Sequence, residues 1–344
     1  MKTAPFEGFQ HGVNLGGWLS QCDHTKERHD TFIGEEDIRT IAFWGADHVR
    51  VPVDYELIEK NEGEYLEEGF AYIDRCIRWC RAAGLRMVLD LHKAAGYSFD
   101  EQINNGTGKA DAFFESEALK SRFLALWKTM ATRYRSETDM VAFELLNEIV
   151  DSSGGGRWNA LSKRAFDVVR AVAPDAWIII GSNNWNSIDA LPQLPKAYDA
   201  RTVYTFHCYE PMWFTHQFAY WMDFSAKETV HYPDTKAAYR ASGSDRMIGS
   251  FAGWEGEGAD FAFLESVIRR AVDSCANLGS PLYCGEYGVI DRAPLPDTLR
   301  WYQDFHTLFE RYSIGRAAWS YRQMDFGLVD DHYAPIRPQL LACL

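Results

Sequence analysis

Phe143-Glu144-Leu145-Leu146-Asn147-Glu148 is an apolar run of the length of a buried strand, and it delivers an amide and a carboxylate side by side at its C-terminal end. A second stretch, Pro281-Leu282-Tyr283-Cys284-Gly285-Glu286-Tyr287-Gly288, does the same with one carboxylate. If both strands belong to one parallel barrel they open onto the same rim, so Glu148 and Glu286 can meet despite their separation along the chain. Two facing carboxylates on such a rim suggest glycosidic-bond hydrolysis.

Working outward, six further stretches read as strands: residues 13–19, 47–53, 85–92, 177–181, 201–209 and 314–321. Helical segments lie between them. Glu35-Glu36-Asp37 puts negative charge in the first turn of a helix that should end near Gly45. Phe70, Ile73, Ile77 and Cys80 recur at helical spacing ahead of Gly84, and Phe123, Leu126, Trp127 and Met130 carry the next helix. Residues 158–173, 261–276 and 297–312 are helical as well. Eight strands alternating with helices predict an α/β chain folded as a closed (β/α)8 TIM barrel, one catalytic domain over residues 1–344.

The rhythm breaks at residues 210–260. That connection after strand six is too long for an ordinary barrel loop and should be an inserted lid or subdomain. It holds Trp213, Phe214, Phe218, Tyr220, Trp221, Phe224 and Trp254. Some of these rings must form a small core of their own, and Trp221 is the one expected to face substrate. The glycine- and asparagine-rich residues 93–111 should be a loop over the same face.

A net charge of −14 argues against a nucleic-acid partner, whose phosphates call for basic patches. An aromatic fraction of 15% suits flat sugar rings as well as a core. No apolar run is long enough for a signal peptide or a membrane span, so the chain as written is expected to be soluble, monomeric and cytoplasmic, or secreted if a leader has been removed. Seven cysteines, an odd number scattered through strands and helices, read as reduced thiols. Cys76 and Cys80 lie one helical turn apart without a partner pair of metal ligands, and neither metal nor other cofactor is expected.

The polar residues singled out by this reading are Arg50, His92, Asn147, Glu148, His207, Tyr209, Glu286 and Trp319, each assigned to the C-terminal end of a strand. Singly they are unremarkable. Arg50 inside an apolar run needs an acidic partner if it is buried, or else faces outward under a helix. Asn14 at the end of the first strand is more often a turn former than a site residue. Together, on the rim where barrels do their chemistry, they form a strong pattern.

That pattern resembles glycoside hydrolase family 5, the cellulase family, and within it the clostridial endoglucanase type. Asn147-Glu148, Gly285-Glu286-Tyr287-Gly288, Arg50, His92, His207-x-Tyr209 and Trp319 are similar to the family's motifs, as are the longer runs GVNLGGWLSQ from Gly12, DHVRVPVDY from Asp47 and FTHQ from Phe214. Lys93 departs from it, standing where the relative has a second histidine, and within the insertion little similarity extends beyond Trp221. The resemblance implies a retaining endo-β-glucanase acting on β-1,4 or mixed β-1,3/1,4 glucan, or an oligosaccharide of it, by double displacement. Glu286 would be the nucleophile, kept ionised by Arg50 and Tyr209, and Glu148 the acid/base. Asn147 would bond the sugar 2-hydroxyl, His92 and His207 would bond hydroxyls or orient the carboxylates, and Trp319 would floor the subsite of the cleaved sugar. A β-mannanase or an exo-acting β-glucosidase stays open. So does, from another class, a metal-dependent barrel hydrolase using His92 and His207, although His11-Gly12-Val13-Asn14 lacks the His-x-His pair such barrels carry on strand one.

Overall fold

A computed structural model describes residues 2–100, 109–222, 228–242, 251 and 253–344. Its centre is a closed barrel of eight parallel strands in chain order: β1 (His11–Asn14), β2 (His48–Asp54), β3 (Arg86–Lys93), β4 (Val141–Glu144), β5 (Ile178–Gly181), β6 (Thr202–His207), β7 (Leu282–Tyr287) and β8 (Gly315–Ala318), with β8 closing on β1. The expected (β/α)8 architecture is therefore the one observed. Strands β1, β4, β6 and β8 end short of where the sequence suggests, whereas β2 and β3 run one residue further. Asn147 and Glu148 lie past β4, Tyr209 past β6 and Trp319 past β8, on the connections that form the rim. The ladder nonetheless persists to Asn147, whose amide donates to the Leu91 carbonyl at 3.0 Å.

Alternation along the strands divides the barrel interior into layers. At the N-terminal foot, Val88, Ala142, Ile179, Val203, Tyr283 and Ala317 meet Phe6 and Phe9 in one apolar cluster, the two phenyl rings stacking at 4.2 Å as a plug. Two residues further along their strands stand Asp90 and Glu144, paired with each other, and the Arg50 side chain, from a residue paired with Asn14 and Val88, reaches both. The layer above the apolar plug is thus polar, and Arg50 lies in the middle of β2 rather than at its end as expected.

Outside, helices pack apolar faces on the strands. Glu67–Ala83 buries Phe70, Ile73, Ile77 and Cys80 and stops at Gly84, whose φ of 75° is the left-handed turn that glycine adopts freely. Glu117–Tyr134, Gly156–Val172, Phe261–Leu278 and Leu295–Tyr312 occupy the corresponding places later in the chain.

The long connection after β6 carries the helices Met212–Thr215 and Lys236–Ala241 and a two-stranded antiparallel ribbon of Asp234–Thr235 with Gly258–Ala259. Trp213 and Phe214 are buried, and Trp254 packs against Phe263 of the following helix, so much of the aromatic surplus is core. Tyr220 is 80% exposed. Phe224 and part of the 93–111 segment lie outside the described residues.

Gly315 opens β8 directly against the foot of the barrel, where an added Cβ would stand 2.1 Å from the Phe9 carbonyl oxygen. Backbone cannot swing aside as a side-chain tip can. Gly315→Ala is expected to lose roughly 3 kcal/mol, the upper part of the overpacking range, read as a lower urea midpoint at unchanged m-value.

Candidate active site

Arg50 is fully buried and lies among three carboxylates. Its Nε and Nη2 donate to the two oxygens of Glu144 at 2.7 and 3.0 Å, a fork-on-fork pair. Nη1 donates to Glu286 Oε1 at 2.8 Å and to Asn14 Oδ1 at 3.0 Å, and Nη2 reaches Asn147 Oδ1 at 2.8 Å. Asp90 Oδ2 lies 3.0 Å from Nη2. The outward-facing alternative for Arg50 is excluded, and the acidic partner its burial demanded is present in triplicate.

One guanidinium cannot neutralise three buried carboxylates, and unbalanced buried charge is relieved by taking up protons. Burial pushes Asp90 up to about 7, against the pull of Arg50, and its Oδ1 has no hydrogen-bond partner among the described residues. Burial also raises Glu144. This layer therefore carries less negative charge than its formulae suggest.

The two histidines are neutral posts. Burial lowers His92, and lowers His207 to about 4. His92 Nδ1 donates to Asp90 Oδ2 at 2.7 Å while Nε2 accepts from Asn147 Nδ2 at 3.4 Å. The His92 ring also stacks on Trp319, centroids 6.0 Å apart and planes 7° from parallel. In the same way His207 Nδ1 donates to Glu148 Oε1 at 2.8 Å and Nε2 accepts from Asn186 Nδ2 at 3.2 Å. With both nitrogens of both rings engaged, and the two in no common three-donor group among the described residues, the metal-dependent alternative built on His92 and His207 has no support.

Glu148 and Glu286 come together across the rim. One oxygen of each, with a His207 nitrogen, lies within 4.8 Å of the others. Glu148 takes a left-handed backbone, φ 41°, as the chain turns off β4, which aims its side chain across the opening. β7 has an irregular register between Cys284 and Glu286, placing Glu286 level with His207 of β6. Tyr209 donates its hydroxyl to Glu286 Oε2 at 2.9 Å, and burial holds that phenol well above its ordinary range, so it stays a donor. Burial raises Glu148 to about 7, against the pull of Arg50. Burial raises Glu286 as well, opposed by Arg50.

Of the remaining expected site residues, Trp221 is half-buried and meets the ring of His216, which in turn packs edge-on against Tyr209 at 4.8 Å. Lys93 turns along the rim into an ion pair with Glu56. The sequence reading missed Asp90, Glu144 and Asn186 and ranked a site role for Asn14 behind that of a turn former; these four hold the others in place. The available signal was two acids flanked by apolar residues, Asp90 between Leu89 and Leu91 and Glu144 between Phe143 and Leu145.

Removing Arg50 leaves those acids without their counter-charge. Arg50→Met is expected to cost about 3–5 kcal/mol of unfolding free energy, the range for breaking a buried pair from one side, and to abolish turnover; denaturant titration and a hydrolysis assay check both.

Comparison with known proteins agrees with this geometry. The family model Cellulase (glycosyl hydrolase family 5) matches residues 11–325. The chain is 39% identical to Endoglucanase C of Acetivibrio thermocellus across 98% of both proteins, and 39% identical to Cellodextrinase A of Ruminococcus flavefaciens across 90% of this chain and 84% of that one. Among solved structures, Thermotoga maritima Cel5A in complex with cellobiose superposes with a TM-score of 0.76 at 24% identity, covering 99% of each chain, which speaks for the fold. No helix among the described residues is long and apolar enough to cross a membrane. A barrel with this rim, matched along nearly its whole length, belongs to glycosyl hydrolase family 5, the cellulase family, and the protein is a glycoside hydrolase.

Proposed function

We propose that the protein is a retaining endo-β-glucanase cleaving β-1,4 or mixed β-1,3/1,4 glucan, with Glu286 as nucleophile and Glu148 as acid/base. The observation that carries this reading is the 4.8 Å limit on the separation of a Glu148 oxygen from a Glu286 oxygen. An inverting pair needs room for water, with carboxyl groups about 6.5–9.5 Å apart, whereas a retaining pair at about 5–5.5 Å admits only direct attack on the anomeric carbon. The names of the relatives, an endoglucanase and a cellodextrinase, support a β-glucan or its oligosaccharides as substrate.

In the first step Glu286 attacks the anomeric carbon while Glu148 gives its proton to the leaving oxygen. In the second, Glu148 takes a proton from water, which displaces Glu286 from the sugar and regenerates both groups. Arg50 and Tyr209 favour the ionised form of Glu286 by charge and by hydrogen bonding. Asn147, its amide oriented by Arg50 and His92, offers its second N–H to the 2-hydroxyl. His92 acts through Asn147, and His207 through Glu148, rather than by gripping sugar themselves. Trp319, stacked on His92, provides the floor. Trp221, on the connection after β6, is the ring that meets sugar.

Glu148 is the competent acid while it holds its proton, so kcat/KM should fall with unit slope as pH rises through about 7. Glu148→Gln should cost ~10²–10⁴-fold on unactivated glucan and abolish that alkaline limb. Glu286→Ala should show no hydrolysis; undiminished turnover would overturn the assignment, and inversion at the anomeric carbon by NMR would overturn the mechanism. Rates on barley β-glucan, carboxymethylcellulose and mannan decide substrate, with mannan expected to be the poorest. Trp221→Ala should raise KM for polymer severalfold with kcat nearly unchanged.

A further inference from the structure

Apart from the carboxylate pair, the turn after β1 gathers a second set of chemically capable groups. Cys22, His24 and His29 each present one donor atom, all three within 4.8 Å of one another. Cys22 Sγ lies 3.8 Å from His24 Nδ1, and His24 Nδ1 lies 3.3 Å from His29 Nε2. The other nitrogen of His24, Nε2, is 3.1 Å from Asp54 Oδ2.

We infer that Cys22, His24 and His29 form a binding site for a zinc-like divalent cation, with Asp54 orienting His24 and one coordination position left to water. The carboxylate pair takes no part in it.

The edge lengths carry the inference. Zinc bonds of about 2.3 Å to sulfur and about 2.05 Å to nitrogen, at tetrahedral angles, put S and N about 3.6 Å apart and two nitrogens about 3.3 Å apart. The observed 3.8 and 3.3 Å are those edges. The donor set of one thiolate and two imidazoles is the soft-to-borderline chemistry that selects zinc over magnesium or calcium.

The surroundings have the form of a metal site's outer shell. A ligating histidine is normally fixed through its second nitrogen by a carboxylate, and Asp54 supplies that. Asp54 is itself held, accepting from the Ser20 hydroxyl at 2.8 Å and from the Gln21 backbone N–H at 3.2 Å. His29 is buried, and its ring lies against Tyr72 with centroids 5.1 Å apart. His24 is 26% exposed, which leaves an approach from solvent.

Read as hydrogen bonds alone, the Cys22 thiol has the Trp18 carbonyl oxygen as an acceptor 3.3 Å away, and His24 Nδ1 stands between Cys22 and His29 Nε2. A cation would hold the three donor atoms together by accepting a lone pair from each, the thiol releasing its proton to solvent. The consequence is mechanical. The ion would tie the turn after β1 to the last turn of the helix Lys26–Thr31 and, through His24 and Asp54, to the end of β2, the strand that carries Arg50.

The test uses the whole chain, stripped with a chelator and titrated with zinc chloride or cobalt(II) chloride. Zinc is expected to bind one per chain and to raise Tm by several degrees. Cobalt should give the visible bands of a four-coordinate ion together with a thiolate-to-cobalt charge-transfer band. Both effects should vanish in Cys22→Ser and in His29→Gln, and persist in Cys343→Ser. Asp54→Asn should keep the cobalt spectrum and weaken binding ~10–100-fold, the signature of a positioning residue. A wild-type cobalt spectrum without the thiolate band overturns the site even if no variant folds. So does a zinc-induced Tm rise undiminished in Cys22→Ser, which would send the metal to Glu148, His207 and Glu286 or to the surface.

Discussion

A single guanidinium in the middle of the barrel organises everything above it. Arg50 can be buried only because Glu144, Asp90 and Glu286 compensate its desolvation, and those acids tolerate burial only because Arg50 is there. Such mutual dependence ties four strands, β2, β3, β4 and β7, at one level of the barrel. It also makes the site continuous with the core: Asn147 and Glu286 are positioned by the group that completes the interior packing.

The period of two along a strand explains how the same eight strands serve stability below and chemistry above. Val88 and Asp90, or Ala142 and Glu144, are neighbours on one face of one strand, yet the first of each pair joins the apolar plug and the second the charged layer. A polar layer over an apolar one lowers the effective dielectric around the carboxylates from beneath while the rim stays open to substrate. Burial, first among the causes of the upward shifts of Asp90, Glu144, Glu148 and Glu286, follows from that arrangement.

The barrel, its strand order and the meeting of Glu148 with Glu286 were legible in the sequence because they rest on local signals: apolar runs, turn residues and acids at strand ends. Arg50 was legible as a question, a charge in an apolar strand, but its partners were not, since choosing Glu144 over any other acid requires knowing which strands stand opposite. Asn14 read more readily as a turn former, and closure of β1 against β8, which brings the Ala317 carbonyl to within 3.1 Å of its amide, gives it a buried role. Cys22 was absorbed into an odd count of thiols. What distinguishes it is the fold of its own turn, with left-handed Gln21 and His24 at φ 51° and 52°, a backbone shape that side-chain type alone does not announce.

The division of labour proposed for the two facing carboxylates follows from their donors. Glu286 receives Arg50 Nη1 at 2.8 Å and the Tyr209 hydroxyl at 2.9 Å, one on each oxygen. Glu148 receives His207 Nδ1 on one oxygen, from a neutral ring, and no cation lies within ion-pair distance of it among the described residues. Hydrogen bonds to the charged form favour it, and full positive charge favours it more. When the pair is crowded enough to retain one proton, that proton therefore belongs on Glu148, on the oxygen not engaged by His207. The charge stays on Glu286, where two donors of different kinds hold both of its oxygens in place. Asymmetry between two chemically identical side chains thus arises from what surrounds them: a cation reaching up from the barrel layer below one, and a neutral imidazole beside the other.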